Sequence, residues 1–367
     1  MSRNDKTIFG ILDWYIIKKL LSTFALAIVL IVFVVIMFDL TQKIDDFIQN
    51  KAPLNKIIFS YYLKSYAPNF VNMFGYLFFF IAVVFVTSRL AARTEIIAIL
   101  NGGVSFARLL QPFIVTATFI ALLNLGLTNL ILPKVNAERL EFEKTYYRNP
   151  YRNNLADIHI QQQANTYVYV QRFDNSRNMG YRFTQETFSN NSMTQKLYAD
   201  VISYDSVTKL WKMENWIERK INGKYESIER GFNKTTDLKL KPEEFNVGTI
   251  KPEELDYRQL NAAIERETLR GSKLVRLLLV EKYQRLINPA AYIVLTIIGV
   301  SLSCRKTRGG MGLHLALGIA LAFVFILIMK VTTVMATQSN LHPSLSVGFP
   351  IIVFFIFSLY LVKKAPK

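Results

Sequence analysis

Five stretches of this chain, residues 20–38, 65–88, 109–133, 286–304 and 309–329, contain no Asp, Glu, Lys or Arg. That feature restricts the possible folds more than any other. A helix crosses the hydrocarbon core of a bilayer with about 20 apolar residues, and each run is about that long. After Lys330 the chain is again uncharged up to Lys363, but Gln338-Ser339-Asn340 and His342-Pro343-Ser344 interrupt it. The last apolar stretch is therefore about 346–362, and the count of expected spans is six. An apolar content of 51% would also suit a large soluble core; the clustering argues for the membrane. The first run follows Lys18-Lys19, is too long for a signal-peptide core, and has no small-residue cleavage site after it. It reads as an uncleaved anchor. Cys304 is the only cysteine, which excludes an internal disulfide and a cysteine metal site.

The net charge of +17 does not point to nucleic acid, because of where it lies. Segment 134–276 holds 24 basic and 20 acidic residues, a net of only +4. The rest flanks the apolar runs. Arg3, Lys6, Lys18 and Lys19 precede the first, Arg89, Arg93 and Arg108 lie between the second and third, and Arg305, Lys306, Arg308, Lys363, Lys364 and Lys367 complete the set. Only Asp5, Asp13 and Glu95 oppose them. Short cytosolic loops carry such an excess of Lys and Arg, whereas long domains translocate regardless of charge. Both termini are expected in the cytosol and segment 134–276 outside it.

Periodicity changes after Pro133. A polar helix over 134–147 gives way to alternation with period two in Thr166–Phe173, Gly180–Phe188, Lys196–Tyr204, Leu210–Ile221 and Tyr225–Gly231. Turn-forming residues separate these runs, and Asn222-Gly223 is a strong hairpin signal. About six short antiparallel strands suggest a sandwich or jelly roll. Helical character returns over Pro242–Lys273. The expected divisions are 1–133 for spans one to three, 134–276 for the inserted all-β domain with flanking helices, and 277–367 for spans four to six. Pro68 is expected to kink or open span two. Between spans two and three, residues 88–110 read as a short helix stopped by Gly102-Gly103.

These features in this order resemble the lipopolysaccharide-export permease family, LptF/LptG. The resemblance rests on Glu95 through Ser105, the Trp211–Gly223 strand pair, the Leu260–Gly271 helix and Asn288-Pro289, and runs the full length. It implies an α-helical inner-membrane protein of six spans with an inserted periplasmic β-jelly-roll. Such a permease forms half of the membrane part of an ABC exporter. It pairs with a second permease of the family above a cytosolic ATPase dimer, and lifts lipopolysaccharide onto a periplasmic bridge of similar jelly rolls. No phosphate-binding G-x-x-x-x-G-K-[ST] loop is present, so ATP and its Mg²⁺ belong to the partner ATPase and no cofactor is expected here. A scaffold that merely anchors its β domain is the alternative.

Candidate residues follow. Read from the residues alone, segment 88–110 is a solvated connector whose arginines enforce topology; the resemblance makes Arg89, Arg93, Glu95, Gly102 and Gly103 the ATPase-coupling set. Lys330 reads as a snorkelling lysine that ends span five. Under the resemblance it lies, with Lys43, at a lateral gate formed by spans one and five and meets lipid phosphates. Asp39 and Asp45 are placed to hold Lys43. Tyr167, Tyr169, Phe173, Tyr181, Phe183 and Phe188 read as one aromatic inner face. Such a face is ordinarily core, and under the resemblance Tyr167, Tyr169, Phe173 and Phe183 line an acyl-chain trough. His159, His314 and His342 are far apart in sequence and make no catalytic arrangement.

Overall fold

The computed structural model describes residues 10–146, 156–174, 177–189, 192–223, 225–245, 251–269, 271–272, 274–305, 310–338 and 341–365. It divides into one unit of Met1–Tyr147 with Leu279–Lys367 and a second of Arg148–Leu278.

The first unit is a helical bundle. Among the described residues five helices are long and apolar enough to cross a membrane, and a bent pair makes a sixth when counted as one span. The strands and helices in chain order begin with α1 (Ile11–Gln49), α2 (Ala67–Ala92), α3 (Glu95–Asn101), α4 (Phe106–Gly126) and α5 (Leu132–Tyr146). Helix α6 (Tyr257–Leu269) belongs to the inserted unit, and after it come α7 (Leu274–Ile287), α8 (Ala290–Ser303), α9 (Gly310–Gln338) and α10 (Pro343–Lys364). Helix α8 has only 14 residues, about 21 Å of rise, and cannot cross alone. It meets α7 at a 49° bend where Pro289 lacks the amide hydrogen to continue the ladder.

Two other prolines widen their helices rather than break them. Lys56–Tyr66 is π-helical and runs into α2, whose second residue is Pro68. Leu127–Ile131 is π-helical and runs into α5, whose second residue is Pro133. A proline ring crowds the carbonyl of the preceding turn, and a wider turn gives it room. Helix α5 is thus continuous with α4 in one rod, Phe106–Glu143, and stays in the bundle; sequence patterning assigned it to the inserted domain. Asn69 Nδ2 donates to Asn136 Oδ1 (2.5 Å) and Lys64 pairs with Glu138 (2.5 Å), fastening that rod to its neighbour.

The bundle core gathers Tyr76, Phe79, Tyr292, Phe325 and Phe354. A Cβ on Gly299 would lie 3.0 Å from Val83 Cγ1 and 3.1 Å from Phe80, so side chains of α2 seat directly on the α8 backbone, as small residues permit in membrane helices. Helix α1 is different. It buries Asp13, Ile16 and Leu20 near one end and Phe47 near the other. Between them Leu26, Val29, Leu30, Phe33 and Val34 are all exposed.

The second unit is one open antiparallel sheet of β1 (Ala156–Gln163), β2 (Thr166–Asp174), β3 (Met179–Ser189), β4 (Ser192–Asp205), β5 (Leu210–Asn222) and β6 (Tyr225–Thr236), each pairing with the next. Strand β1 carries little apolar alternation, and sequence patterning missed it. Gly223 has φ +64° in the turn between the paired Asn222 and Tyr225, as a tight hairpin requires.

One irregularity crosses the whole sheet. Asp157, Gln171, Arg182, Asp200, Asn215 and Phe232 stand opposite one another, and no cross-strand partner is formed at that row in any of the five pairings. On alternate strands the residue is left-handed: Asp157 at φ +58°, Arg182 at +52° and Asn215 at +48°. A left-handed residue turns the strand and shifts its alternation by one. Residues three apart then face the same side, as Val170 and Phe173, Gly180 and Phe183, and Ala199 and Ile202 do, all buried. The crease keeps one apolar face continuous through the bend.

Candidate functional site

The turn between α2 and α4 gathers the residues expected to couple. Helix α2 ends at Ala92, α3 runs for seven residues, and Gly103, at φ +84°, reverses the chain. Gly102 has an ordinary φ of −73°, so of the two glycines only Gly103 needs a residue without a Cβ. Ser105 then caps α4, its Oγ accepting from the amide of Arg108. Arg89 and Arg93 are exposed, as are Ile97, Ala98 and Asn101 on α3, while Ile96 packs into the bundle. The turn therefore presents two cations and a small apolar surface around a partly buried carboxylate.

That carboxylate, Glu95, accepts a hydrogen bond from Tyr15 Oη on α1 (3.2 Å), and Lys19 Nζ donates to the same tyrosine oxygen (2.8 Å). Beside it Arg108 forms a two-pronged pair with Asp13, at 2.7 and 2.5 Å. Asp13, only 4% exposed, also accepts from the Gly10 amide. Sequence reasoning missed Asp13, Tyr15 and Arg108 as a group. The available signal was the scarcity of acid: two of the three acids among that basic set, Asp13 and Glu95, are the ones bonded here.

At the other end of α1, Lys43 is enclosed. It pairs with Asp39 (2.8 Å), donates to Tyr61 Oη (2.7 Å) and lies over the rings of Tyr61 and Tyr66. Tyr62 Oη donates to Asp39 (3.1 Å), Tyr61 Oη reaches Glu143 (3.4 Å), and Glu143 lies 3.8 Å from Arg139. Asp39 holds Lys43 as expected, whereas Asp45 forms no bond with it among the described residues. Two π-helical residues, Tyr61 and Tyr62, complete the network, which sequence patterning did not anticipate.

Lys330 is exposed on α9, and the helix continues two turns beyond it to Gln338. The helix therefore outlasts the charge-free run that Lys330 ends. Lys43 and Lys330 sit on α1 and α9, helices that do not pack side by side; the bundle does not bring them together.

The sheet divides the aromatic set in two. Phe173 and Phe183 are buried with Val168, Val170, Ile202, Trp211 and Met213. Tyr167 and Tyr169 face the other side, since their neighbours Val168 and Val170 point inward. Tyr169 packs at a tilt against His159 and donates to Asp157 (2.6 Å), which raises its phenol pKa, and Tyr167 packs edge-on against Phe188. Period-two counting placed these residues on one inner face with Phe173 because they share its parity; the crease lies between them. Leu238, Leu240 and Phe245 cover the apolar face: Phe245 stacks on Phe173 (4.8 Å), and Trp211 Nε1 donates to the Leu240 carbonyl (2.8 Å). At its far end the face closes on Glu218, 6% exposed, which accepts from Lys234 and Gln195 at 2.6 Å each. Lys234 first, and Lys220 after it, hold its carboxyl below the usual range against the cost of burial.

Among the described residues no three His, Cys, Asp or Glu side chains converge as a metal site. No curated protein matches the chain. The family model for the lipopolysaccharide export system permease LptF/LptG matches residues 14–364. With nearly its whole length matched, and with membrane-spanning helices on either side of an inserted antiparallel sheet, the chain belongs to the LptF/LptG family of lipopolysaccharide export permeases.

Proposed function

We propose that this chain is one permease of an ABC exporter that draws lipopolysaccharide from the inner membrane and passes it to a periplasmic bridge. A separate cytosolic ATPase dimer, with its own ATP and Mg²⁺, supplies the energy, and a second permease of the family completes the membrane part. Both termini and the α2–α4 turn lie in the cytosol, and the sheet lies in the periplasm. The Lys and Arg flanking the spans support that orientation. The observation that carries the reading is the family match over residues 14–364. It is supported by a turn whose exposed Arg89, Arg93 and Ile97 offer a partner a charged and apolar surface.

Lys330 has the exposure to meet a lipid phosphate. Lys43 would do so only by giving up Asp39, so its first role is to hold the outer end of α1. Acyl chains would enter the sheet where Phe173 and Phe183 lie, and Leu238, Leu240 and Phe245 would have to yield to admit them.

Native mass spectrometry of the tagged protein, gently extracted from its own membrane, tests this. Two ATPase copies, a second six-span permease and bound glycolipid are expected. A lone chain, under conditions that preserve other ABC complexes, would leave a membrane-anchored scaffold as the better account.

A further inference from the structure

Helix α1 is most deeply buried at its two ends; between them one face is half-buried, with Phe24 edge-on against Phe79, and the opposite face is bare. A helix of 39 residues spans about 57 Å, and a stiff rod so attached transmits displacement from one end to the other. At the terminal end the attachment is to the coupling turn itself, through Asp13 to Arg108 and Tyr15 to Glu95. At the far end it is the Lys43–Asp39–Tyr61–Tyr62 network.

We infer that Asp13 and Arg108 are a positioning pair that makes α1 move with the α2–α4 turn. This rests on the coupling role proposed above for that turn. Asp13 is suited to the task because its carboxylate is committed three times, to Arg108 Nη1 and Nη2 and to the Gly10 amide. It therefore fixes the first turn of α1 and the first turn of α4 to each other in both distance and orientation. A two-pronged guanidinium–carboxylate pair has that geometric specificity, whereas a lysine would act as a point charge. Ile16 and Leu20, one and two turns on and fully buried, stop the helix from pivoting about the pair. The Tyr15–Glu95 bond adds a second, weaker tie. When a partner displaces the turn, α1 is carried with it, and the Lys43 end shifts in turn.

The test uses the complete transporter in nanodiscs. Spin labels at Val29→Cys on α1 and Phe323→Cys on α9, both well exposed, are placed in a Cys304→Ser background. The label distance is read with and without trapped nucleotide, alongside ATP hydrolysis and lipid released to an acceptor. The expected result is a nucleotide-dependent distance change that Asp13→Asn abolishes. Hydrolysis continues while lipid released per ATP falls about fivefold or more, the lower end of ordinary coupling effects. The exchange D13R with R108D restores both, and Arg108→Lys gives an intermediate loss, which separates positioning from misfolding. A full distance change in Asp13→Asn would overturn the pair's role and leave the coupling turn intact. No ATPase on the wild-type complex, and no distance change, would overturn the coupling reading and the pair's role with it.

Discussion

Val170 and Phe173 are three residues apart on one strand yet both point into the same core, which a regular strand forbids. The row of unpaired residues between them is a structural requirement of the sheet, and it makes a prediction at its left-handed members. Arg182, at φ +52°, carries a backbone cost of about 1–2 kcal/mol for a residue with a Cβ. Arg182→Gly is expected to leave the sheet as stable or up to about 1 kcal/mol more stable. Arg182→Val is expected to destabilise it by about 1–2 kcal/mol. Trp211 and Trp216 both lie in the sheet, so urea transitions followed by tryptophan fluorescence read the difference. Equal midpoints for the two variants would remove the crease as a source of strain.

The same row explains where sequence and structure part company. The long uncharged runs determine the spans, because no soluble arrangement buries so many consecutive apolar residues. The strands β2 to β6 are legible because period two and turn chemistry agree. The face each aromatic takes is not legible, because parity counting assumes unbroken alternation and Arg182 gives no sign that it adopts a glycine-like φ. The Asp13–Arg108 pair spans 95 positions and was visible only as an acid in a basic neighbourhood. The charge-free run that ends at Lys330 does not reveal the length of α9, because the helix continues past that charge to Gln338.

The α2–α4 turn separates its two glycines. Gly103→Ala must hold a Cβ at φ +84°, a cost of about 1 kcal/mol or more, whereas Gly102→Ala extends a helix at an ordinary φ. Thermal unfolding in detergent is expected to drop for Gly103→Ala and to stay within a degree or two for Gly102→Ala. The same order is expected for ATPase retained on affinity purification. A larger loss from Gly102→Ala would mean that the partner, rather than the turn, requires the glycine.

The enclosed Lys43 gives a pairwise prediction. Lys43→Met leaves the largely buried Asp39 with the hydroxyls of Tyr62 and Tyr66 in place of its ammonium partner, and breaking such a pair costs about 3–5 kcal/mol when it is well buried. The pair here retains 12–13% side-chain exposure, so a lower figure, about 1–3 kcal/mol, is expected. Asp39→Asn combined with Lys43→Met removes both charges and should recover part of the loss. In a double-mutant cycle the coupling is expected to exceed about 1 kcal/mol. A purely lipid-binding Lys43 would show none in lipid-free detergent.

Two carboxylates of the sheet give its stability a defined acid limb. The Val207 amide first, and then Lys212, push Asp205 down to about 2, and Lys234 holds Glu218 below the usual range. Unfolded, they titrate near about 4. A depressed folded pKa contributes stability that is fully present above the unfolded value and is lost as pH falls through the folded one. The sheet is therefore expected to keep its urea midpoint down to about pH 5 and to lose stability progressively between about pH 4 and pH 2. Glu218→Gln should flatten that decline, because the variant has no proton to gain. Its midpoint at neutral pH should be lower, since Lys234 and Lys220 then face an amide. Asp205→Asn should flatten the lowest part of the range. A decline of unchanged steepness in the double variant would place the acid sensitivity of the sheet on other groups.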